Sequence, residues 1–296
     1  MVLPSFDYLV VKDLDEASDK LAELGPTAKV MAGATDLIIP MKDHAVRPEP
    51  EYLVDIKKIP GLDYLEYDEK EGLKVGALTT LRTLEHSELV KEKYPAVATA
   101  AKSIASTQIR AKGTMAGNIC NASPSGDSGP IVLASDAKIL VHGKDGDRTI
   151  QAADFFKGVK RTALEPGDIV TGIVFPPLAK NQKAVYIKHA VRKAMDLAIV
   201  GVAVIITVEN EICTDAKIAL GAVAATPIRA PKAEEALIGK KLTDEVIENA
   251  ATSAMESCSP ISDIRASKEY RSAMVRVFTK RAIKKALEDM QEVDHE

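Results

Sequence analysis

The sequence contains no tryptophan and few aromatic residues or cysteines. Aromatic residues make up 4% of the 296 residues, too few for the stacking platforms that bind single-stranded nucleic acid. The net charge of −4 also argues against a nucleic-acid partner, because binding of phosphate groups requires a basic surface. Cys120, Cys213 and Cys258 are far apart and form neither a disulfide framework nor a CxxC metal motif. We therefore expect no nucleic acid, no metal ion and no iron–sulfur cluster bound to this chain.

Long apolar runs are also missing. The longest one, residues 197–208, is shorter than the ~20 residues that a membrane-spanning helix needs, and its valine and isoleucine content predicts a buried strand. Residues 1–12 lack the basic start and apolar centre of a signal peptide. The apolar share of 46% and the charged share of 28% are typical of globular proteins, and the length predicts two or three domains. These features predict a cytoplasmic protein with no membrane span.

Recognisable catalytic motifs are absent from the sequence. There is no GxGxxG dinucleotide motif, no P-loop, no HExxH and no GxSxG. The histidines are dispersed, and no nucleophile, base and orienting residue form a recognisable set. If the chain takes part in catalysis, a bound cofactor must supply the chemistry while the protein holds and tunes it.

The most unusual stretch spans residues 110–130. It contains Gly113, Gly117, Gly126 and Gly129 among small hydroxyl and amide side chains. Such residues favour turns over helices and strands, and long irregular segments inside compact domains are uncommon unless they bind something. Small side chains also let a ligand approach main-chain amides, which solvate negative charge. The stretch predicts a loop around a large, polar, anionic cofactor.

A strand–turn–helix unit near the N terminus offers a second anion site. Asp13 and Glu16 predict the capped start of a first helix, which Gly25 ends. A strand is predicted at residues 28–32, and the run Gly33-Ala34-Thr35-Asp36 connects it to a helical turn. Amides at the start of a helix are a common seat for anions, and an ordinary tight turn is the alternative interpretation of this unit.

Hydrophobic patterns predict the remaining elements. Strands followed by helices after residue 181 predict an α+β arrangement, with a domain boundary near residues 178–181. The predicted strands are residues 52–56, 65–67, 73–75, 131–133, 138–142, 148–151, 169–175, 184–190, 197–208 and 213–223. The predicted helices are residues 80–85, residues 90–104, a helix that starts at Thr243 and a last helix with an apolar stripe over residues 270–290, while residues 155–159 are predicted as a loop.

Several motifs, taken together and in order, resemble one family. They are residues 30–36, residues 114–118 followed by Asn121, Ser123 and Asp127, and residues 186–198, 221–227 and 265–271. The pattern is similar to the FAD-binding medium subunit of molybdenum hydroxylases, the family of xanthine, carbon monoxide and nicotinate dehydrogenases. The resemblance implies an α+β chain. Residues 1–178 would form a two-subdomain FAD-binding fold of the vanillyl-alcohol oxidase (PCMH) type, with subdomains at about 1–57 and 58–178. Residues 182–290 would form a C-terminal α+β domain of the CO dehydrogenase flavoprotein type, a three-stranded antiparallel sheet with helices.

The resemblance also implies where FAD binds. One set of residues would line the pyrophosphate and the flavin edge: Lys29, Val30, Met31, Ala32, Gly33, Ala34, Thr35 and Asp36. A second set would contact the pyrophosphate, the ribityl chain or the pyrimidine ring: Thr114, Gly117, Asn118, Asn121, Ser123 and Asp127. Of the remaining site residues, the adenine would lie between Ile104 and Val170, the pyrimidine end near Lys188, and the isoalloxazine ring against Leu197. Because the flavin carries the redox chemistry, no catalytic side chain and no metal ligand is expected.

Ordinary structural roles remain open for some of these residues. Lys188 could be a solvated strand lysine, Asp36 a helix cap and Asp127 a turn residue. The family has a second glycine where Ala34 and Ala116 stand, and alanine costs little there unless the backbone φ is positive.

For function, the resemblance implies an electron-transfer subunit of a dehydrogenase complex. A small partner subunit would carry [2Fe-2S] clusters, a large partner subunit would carry the molybdenum (molybdopterin) cofactor, and this chain with FAD would pass electrons to NAD(P)+ or another acceptor. The whole complex would hydroxylate an N-heteroaromatic compound such as nicotinate or a purine. Two other hypotheses are a self-contained flavoprotein oxidase of the vanillyl-alcohol type and a non-catalytic assembly module whose flavin site has decayed.

Overall fold

The chain begins with a small parallel sheet and two helices, and the computed structural model describes residues 2–293. The elements of this first part are β1 (Asp7–Val10), α1 (Leu14–Leu24), β2 (Ala28–Met31), α2 (Thr35–Lys42) and β3 (Tyr52–Asp55). The strands pair in the order β1-β3-β2. Asp13 Oδ1 accepts a hydrogen bond from Glu16 N at 2.8 Å, and Gly25 ends α1 with a φ of 63°. Both predicted ends of the first helix are therefore confirmed.

A five-stranded antiparallel sheet forms the second part. Its elements are β4 (Leu65–Asp68), β5 (Gly72–Gly76), α3 (Leu81–His86), α4 (Glu88–Lys93), α5 (Pro95–Ser103), α6 (Thr107–Arg110), α7 (Met115–Asn121), α8 (Ser128–Ala134), β6 (Lys138–Gly143), β7 (Gly146–Gln151), α9 (Ala152–Phe155), β8 (Phe156–Gly158), β9 (Arg161–Thr162) and β10 (Ile169–Phe175). The strand order is β4-β5-β10-β6-β7, and β8 pairs with β9 separately. The predicted strands β4 and β5, which pair as a hairpin, and the predicted strand β10 are confirmed.

Three predictions between β5 and β10 are wrong. The helix predicted over residues 90–104 is divided into α4 and α5, because Pro95 lacks the N–H that a continuous helix needs. The strand predicted at residues 131–133 lies in α8, and a short apolar run does not by itself distinguish a buried helix from a strand. The loop predicted at residues 155–159 contains the end of α9 and all of β8.

The stretch 110–130 is less irregular than predicted. It contains all of α7 and the first residues of α8. Helix α7 can begin there because Thr114 Oγ1 accepts a hydrogen bond from Gly117 N at 2.9 Å, which satisfies an amide that has no partner within the helix. The segment is therefore two short helices joined by loops.

The C-terminal part is a second antiparallel sheet with three helices. Its elements are β11 (Gln182–His189), β12 (Val200–Glu209), β13 (Ile212–Gly221), β14 (Ile228–Arg229), α10 (Pro231–Leu237), α11 (Asp244–Glu256) and α12 (Lys268–Val293). Three strands were predicted, and the two-residue β14 adds a fourth to the order β11-β12-β13-β14. Helix α10 was not predicted, whereas the predicted start of α11 is confirmed, since Thr243 Oγ1 accepts from Val246 N at 3.3 Å. Over residues 2–293, no helix combines the length and the hydrophobicity that crossing a bilayer requires.

The two faces of the C-terminal sheet belong to different apolar cores. Tyr186, Ala203 and Ala219 pack into the core of the second part, while the alternate residues Val202 and Ile218 pack with the helices α11 and α12. This follows from strand geometry, because successive side chains point to opposite faces. The sheet is therefore buried on both sides and lies directly on the second part.

Helix α8 packs tightly between the second part and the C-terminal sheet. All of its residues are buried. A Cβ added at Gly129 would overlap the ring of Pro227, and one added at Gly221 would lie 2.6 Å from Pro130 Cγ. Proline rings cannot rotate away, so a side chain larger than hydrogen would separate the two surfaces. The contact holds the connection between β13 and β14 against the second part.

Candidate functional site

A cleft of about 1040 Å³ lies where the three parts of the chain meet. The first part contributes residues within 28–37, the second contributes residues within 104–127 and 164–170, and the C-terminal part contributes residues 195–197. Ligand pockets typically measure about 300–1,000 Å³, so this cleft fits a large ligand.

The two glycine-bearing segments are in direct contact in this cleft. A Cβ added at Gly33 would overlap the carbonyl oxygen of Lys112, lie 2.6 Å from the Lys112 carbonyl carbon and lie 2.9 Å from Gly113 Cα. A Cβ added at Gly113 would in turn lie 3.2 Å from Thr35 Oγ1. The absence of side chains at Gly33 and Gly113 therefore lets two main-chain segments that are remote in sequence form one continuous wall.

The start of helix α2 faces this wall with its amides uncapped. Ala34 occupies the N-cap position in the left-handed region, with φ 56° and ψ 10°, and no side chain caps the helix. The first amides of a helix have no intrahelical acceptor and carry the positive end of the helix dipole. Ala116, the other position where the family has glycine, lies inside α7 and is buried. Of the two alanines, only Ala34 has a positive φ.

Lys29 adds a positive charge to the same end of the cleft. It lies on β2, lines the cleft and is partly buried. Burial lowers the pKa of its ammonium group. Within residues 2–293 no carboxylate forms an ion pair with it. An anionic ligand would relieve this unpaired, partly desolvated charge.

Polar side chains of the second glycine-bearing segment, residues 110–130, are oriented by hydrogen bonds within the protein. Asn118 Oδ1 accepts a hydrogen bond from Ser128 N at 3.3 Å, which leaves its NH2 group as a donor. Asn121 Oδ1 accepts from Lys160 Nζ at 2.8 Å. Ser123 Oγ lies 3.5 Å from Ser125 Oγ. The side chains thus present hydroxyl and amide groups to the cleft.

Asp127 is held by two donors from the C-terminal sheet. Tyr186 OH donates to Asp127 Oδ1 at 3.0 Å, and Lys188 Nζ donates to Oδ2 at 2.8 Å. Burial raises the pKa of Asp127, and the Lys188 ammonium opposes that rise. Burial also raises the pKa of Tyr186 well above its ordinary value. The carboxylate therefore has a defined orientation at the wall of the cleft, and its remaining lone pairs can accept a bond from a ligand N–H.

The structure brings most of the predicted site residues together. Those that line the cleft are Lys29, Val30, Ala32, Gly33, Ala34, Thr35, Asp36, Ile104, Thr114, Gly117, Asn118, Asn121, Ser123, Asp127, Val170 and Leu197. Met31 and Lys188 do not line it. The Lys188 side chain is 11% exposed and lies behind Asp127.

Sequence reasoning missed several residues of the cleft. Lys160 and residues 164–168 line one side, and Ala105 and Met195 line another. No motif distinguished them, because they lie in loops that become neighbours only through the fold. Arg110 was also missed, although it shapes the wall by donating to the carbonyl oxygen of Ile104 at 2.9 Å while it pairs with Glu85 at 2.7 Å.

The residues of the cleft fit FAD. The uncapped start of α2 and Lys29 suit a pyrophosphate, and the volume of the cleft suits a dinucleotide. Apolar side chains for flat rings are supplied by Ile104, Val170 and Leu197. Within residues 2–293, no three His, Cys, Asp or Glu side chains are grouped so as to hold a metal ion.

Comparison with known proteins places the chain in one family. The family described as the FAD binding domain in molybdopterin dehydrogenase matches residues 4–178, and the CO dehydrogenase flavoprotein C-terminal domain matches residues 185–286. The chain is 35% identical over 284 residues to the glyceraldehyde dehydrogenase medium chain of Sulfolobus acidocaldarius, covering 96% of this chain and 99% of that protein. It is 34% identical over 275 residues to the xanthine dehydrogenase FAD-binding subunit of Escherichia coli, covering 93% of each.

Solved structures have the same fold. A carbon monoxide dehydrogenase chain from Hydrogenophaga pseudoflava superposes with a TM-score of 0.93 at 35% identity, covering 97% of this chain and 99% of that one. A chain of quinoline 2-oxidoreductase from Pseudomonas putida superposes with a TM-score of 0.91 at 28% identity, covering 98% and 99%. These matches confirm the predicted family, the α+β class and FAD as the cofactor. The chain belongs to the FAD-binding medium subunits of the carbon monoxide and xanthine dehydrogenase family, and it is a flavoprotein subunit of an oxidoreductase.

Proposed function

We propose that this chain receives electrons from [2Fe-2S] clusters of a small partner subunit and passes them to NAD(P)+ or another acceptor, while a large partner subunit holds the molybdenum cofactor. Bound FAD supplies electron exchange with iron–sulfur clusters together with hydride transfer to a nicotinamide. The residues of this chain bind the cofactor, orient it and exclude water from it.

The chemical character of the cleft supports this role most directly. No histidine is among the described residues that line it. Cys120 lines it, but burial raises the pKa of its thiol to about 12, so the thiol is protonated near neutral pH. Asp127 and Asp168 are paired with Lys188 and Arg148. The thiol of the cleft is therefore protonated and its two buried carboxylates are paired, so the lining offers chiefly binding groups, as expected of a subunit that carries electrons.

Each end of the cleft suits one part of FAD. We infer that Lys29 and the first amides of α2 bind the pyrophosphate, with further donors from Thr114 and Asn118. Asp127, whose orientation is set by Tyr186 and Lys188, would accept a hydrogen bond from the imide N–H of the flavin ring. This assignment rests on the ammonium of Lys29 and the uncapped amides of α2 in one part of the wall and on the oriented carboxylate of Asp127 in another.

The organic substrate belongs to another subunit in this proposal. Relatives that match this chain at 34–35% identity bear names that refer to glyceraldehyde, carbon monoxide and xanthine. Medium subunits of nearly equal similarity to this chain are therefore found in enzymes named for very different substrates. We propose a heteroaromatic substrate such as nicotinate or a purine for the whole complex, because relatives named for xanthine and for nicotinate match this chain, and assays of the native complex decide between this class and the others.

The structure offers little to a self-contained oxidase with covalently attached flavin. That attachment needs a histidine or a reactive cysteine at the flavin, and the described lining of the cleft supplies only the protonated Cys120. Precipitating the protein with acid tests this alternative, since a covalent flavin would remain with the pellet.

The proposed function is tested with the flavin-free chain reconstituted with FAD. We expect one flavin per chain and a flavin absorption spectrum, and no oxidation of nicotinate, xanthine or an aldehyde with an artificial electron acceptor. Purification of the native complex should recover molybdenum, iron and sulfide with the chain, and its substrate should then reduce the flavin. Substrate turnover by the chain alone would contradict the proposal, as would a native complex without iron and molybdenum.

A further inference from the structure

We propose that Arg271 is a positioning residue for FAD. Its guanidinium group holds two main-chain carbonyl groups, and each of these belongs to a connection that leads directly to the wall of the cleft. The proposal rests on the proposed function in assigning the cleft to FAD. The contacts that carry it lie within the protein and can be measured without the cofactor.

The guanidinium group of Arg271 is buried and reaches three segments of the C-terminal part. Arg271 lies in the first turn of α12 and is 3% exposed. Nη1 donates to the carbonyl oxygens of Ile199 at 2.8 Å and Ala222 at 3.2 Å, and Nη2 donates to Asp263 Oδ1 at 2.8 Å. Because a guanidinium presents five N–H donors in fixed directions, one side chain fixes the positions of all three acceptors relative to one another.

The two carbonyl groups lie just beyond one end of the ladder between β12 and β13. The last pair at this end joins Gly201 to Gly221. Ile199 precedes β12 and Ala222 follows β13, so neither has a partner in that ladder. A carbonyl group that is removed from water needs a donor. Arg271 supplies this donor for both and continues the connection between the two strands beyond the sheet.

Ile199 closes the loop that connects β11 to β12. Its amide donates to the His189 carbonyl oxygen at 2.8 Å, while its own carbonyl oxygen accepts from Arg271. Met195 and Leu197 of this loop line the cleft. They are 65% and 45% exposed, so little apolar burial holds the outer part of the loop. The bonds of Ile199 therefore set where the loop stands over the cleft.

Ala222 links the same guanidinium group to the second glycine-bearing segment. Its amide donates to the Pro124 carbonyl oxygen at 2.9 Å. Ser123 and Ser125, on either side of Pro124, line the cleft. Ala222 has a φ of 63°, a conformation that is unfavourable for a residue with a Cβ and is held here by a bond on each side. Release of its carbonyl group from Arg271 would let the amide move and would loosen Pro124.

Hydrogen–deuterium exchange of the flavin-free full-length chain gives the first part of the test. Arg271→Met removes both carbonyl bonds, and we expect exchange of the amides of Ile199 and Ala222 to rise by about tenfold or more, while that of strand β10 is unchanged. The double variant Arg271→Met/Asp263→Asn leaves no unpaired carboxylate and serves if the single variant folds poorly. It should show the same rise.

Fluorescence titration with FAD gives the second part. In both Arg271 variants we expect the dissociation constant for FAD to rise by about tenfold or more. Ile283→Ala is the control, because Ile283 lies on the same helix and is fully buried in the apolar core that α12 shares with α11. Its truncation leaves a cavity and should lower the melting temperature without touching either carbonyl group. This variant should bind FAD like wild type.

The proposal requires both results. It is overturned if exchange at Ile199 and Ala222, or the dissociation constant, stays within about threefold of wild type in both Arg271 variants. It is also overturned if Ile283→Ala raises the dissociation constant as much as Arg271→Met, since the effect would then follow from lost stability alone. Failure of the wild-type chain to bind FAD would contradict the proposed function, whereas normal binding by wild type with unchanged affinity in the variants overturns only this proposal.

Discussion

Replacing Gly33 with alanine should separate the two glycine-bearing segments and weaken FAD binding. The added Cβ would overlap the Lys112 carbonyl oxygen and lie 2.6 Å from the Lys112 carbonyl carbon, which is 0.8 Å short of the 3.4 Å where ordinary contact begins. All of the neighbouring atoms belong to the main chain, so no side chain can rotate to make room. The φ of Gly33 lies outside the left-handed region, so the effect is steric.

The size of the effect follows from the cost of overpacking. Inserting a methyl group into a well-packed site costs typically about 1–3 kcal/mol, and contact with three main-chain atoms of residues 112 and 113 places Gly33→Ala near the upper end. If the segments separate to relieve the clash, the pyrophosphate loses its place between them. We therefore expect the dissociation constant for FAD to rise by about 100-fold, equivalent to about 2.7 kcal/mol.

Fluorescence titration of the flavin-free variant with FAD measures this constant, and circular dichroism checks that the variant is folded. Gly158→Ala is the control, because its nearest neighbours would be Arg161 Cβ and Cδ at 4.0 Å and it does not line the cleft. It should bind FAD like wild type. The reasoning is refuted if folded Gly33→Ala binds FAD within about threefold of wild type.

Other substitutions test further features of the fold. Ala34→Gly should stabilise the protein by about 1 kcal/mol in denaturant unfolding, because a left-handed conformation costs a residue with a Cβ about 1–2 kcal/mol. Ala116→Gly, inside α7, should instead destabilise the protein by about 0.5–1 kcal/mol. Equal effects at both positions would contradict the assigned backbone conformations. Gly129→Ala should lower the free energy of unfolding by about 1–3 kcal/mol through overlap with Pro227, and an unchanged melting temperature would show that this contact can relax. The Arg265 amide and the Arg271 guanidinium lower the pKa of Asp263 below its ordinary value of 3.8, so its contribution to stability is complete above pH 3.8 and is lost as the pH falls through the lowered pKa. The difference in melting temperature between wild type and Asp263→Asn should therefore shrink as the pH falls below 3.8, and a constant difference down to pH ~2 would contradict this pairing.

Local signals in the sequence were sufficient to predict elements whose ends depend on a few neighbouring residues. The cap at Asp13 and the stop at Gly25 defined α1, and the long apolar strands β10, β12 and β13 were found at nearly their full length. The same signals did not predict the secondary structure of a short segment that is buried on every side. Residues 131–133 lie in the fully buried helix α8, and a short apolar run is equally compatible with a buried strand and a buried helix.

The site was predicted by composition and family resemblance, but its assembly was not. Glycine content pointed to two segments that bind a ligand, and both line one cleft. The overlap of Gly33 with the Lys112 main chain joins residues far apart in sequence, so only the fold shows why Gly33 must lack a side chain. In the same way, the three acceptors of Lys188 come from segments around residues 103, 127 and 196, and no sequence pattern indicates that they meet.

A crystal structure of the chain with FAD tests the central claim most directly. We predict that the diphosphate lies between the amides of residues 33–36 and the start of α7 at Thr114, with both glycine-bearing segments in contact with the same molecule. A structure in which FAD contacts only one of these segments, or binds outside the cleft, would contradict the account.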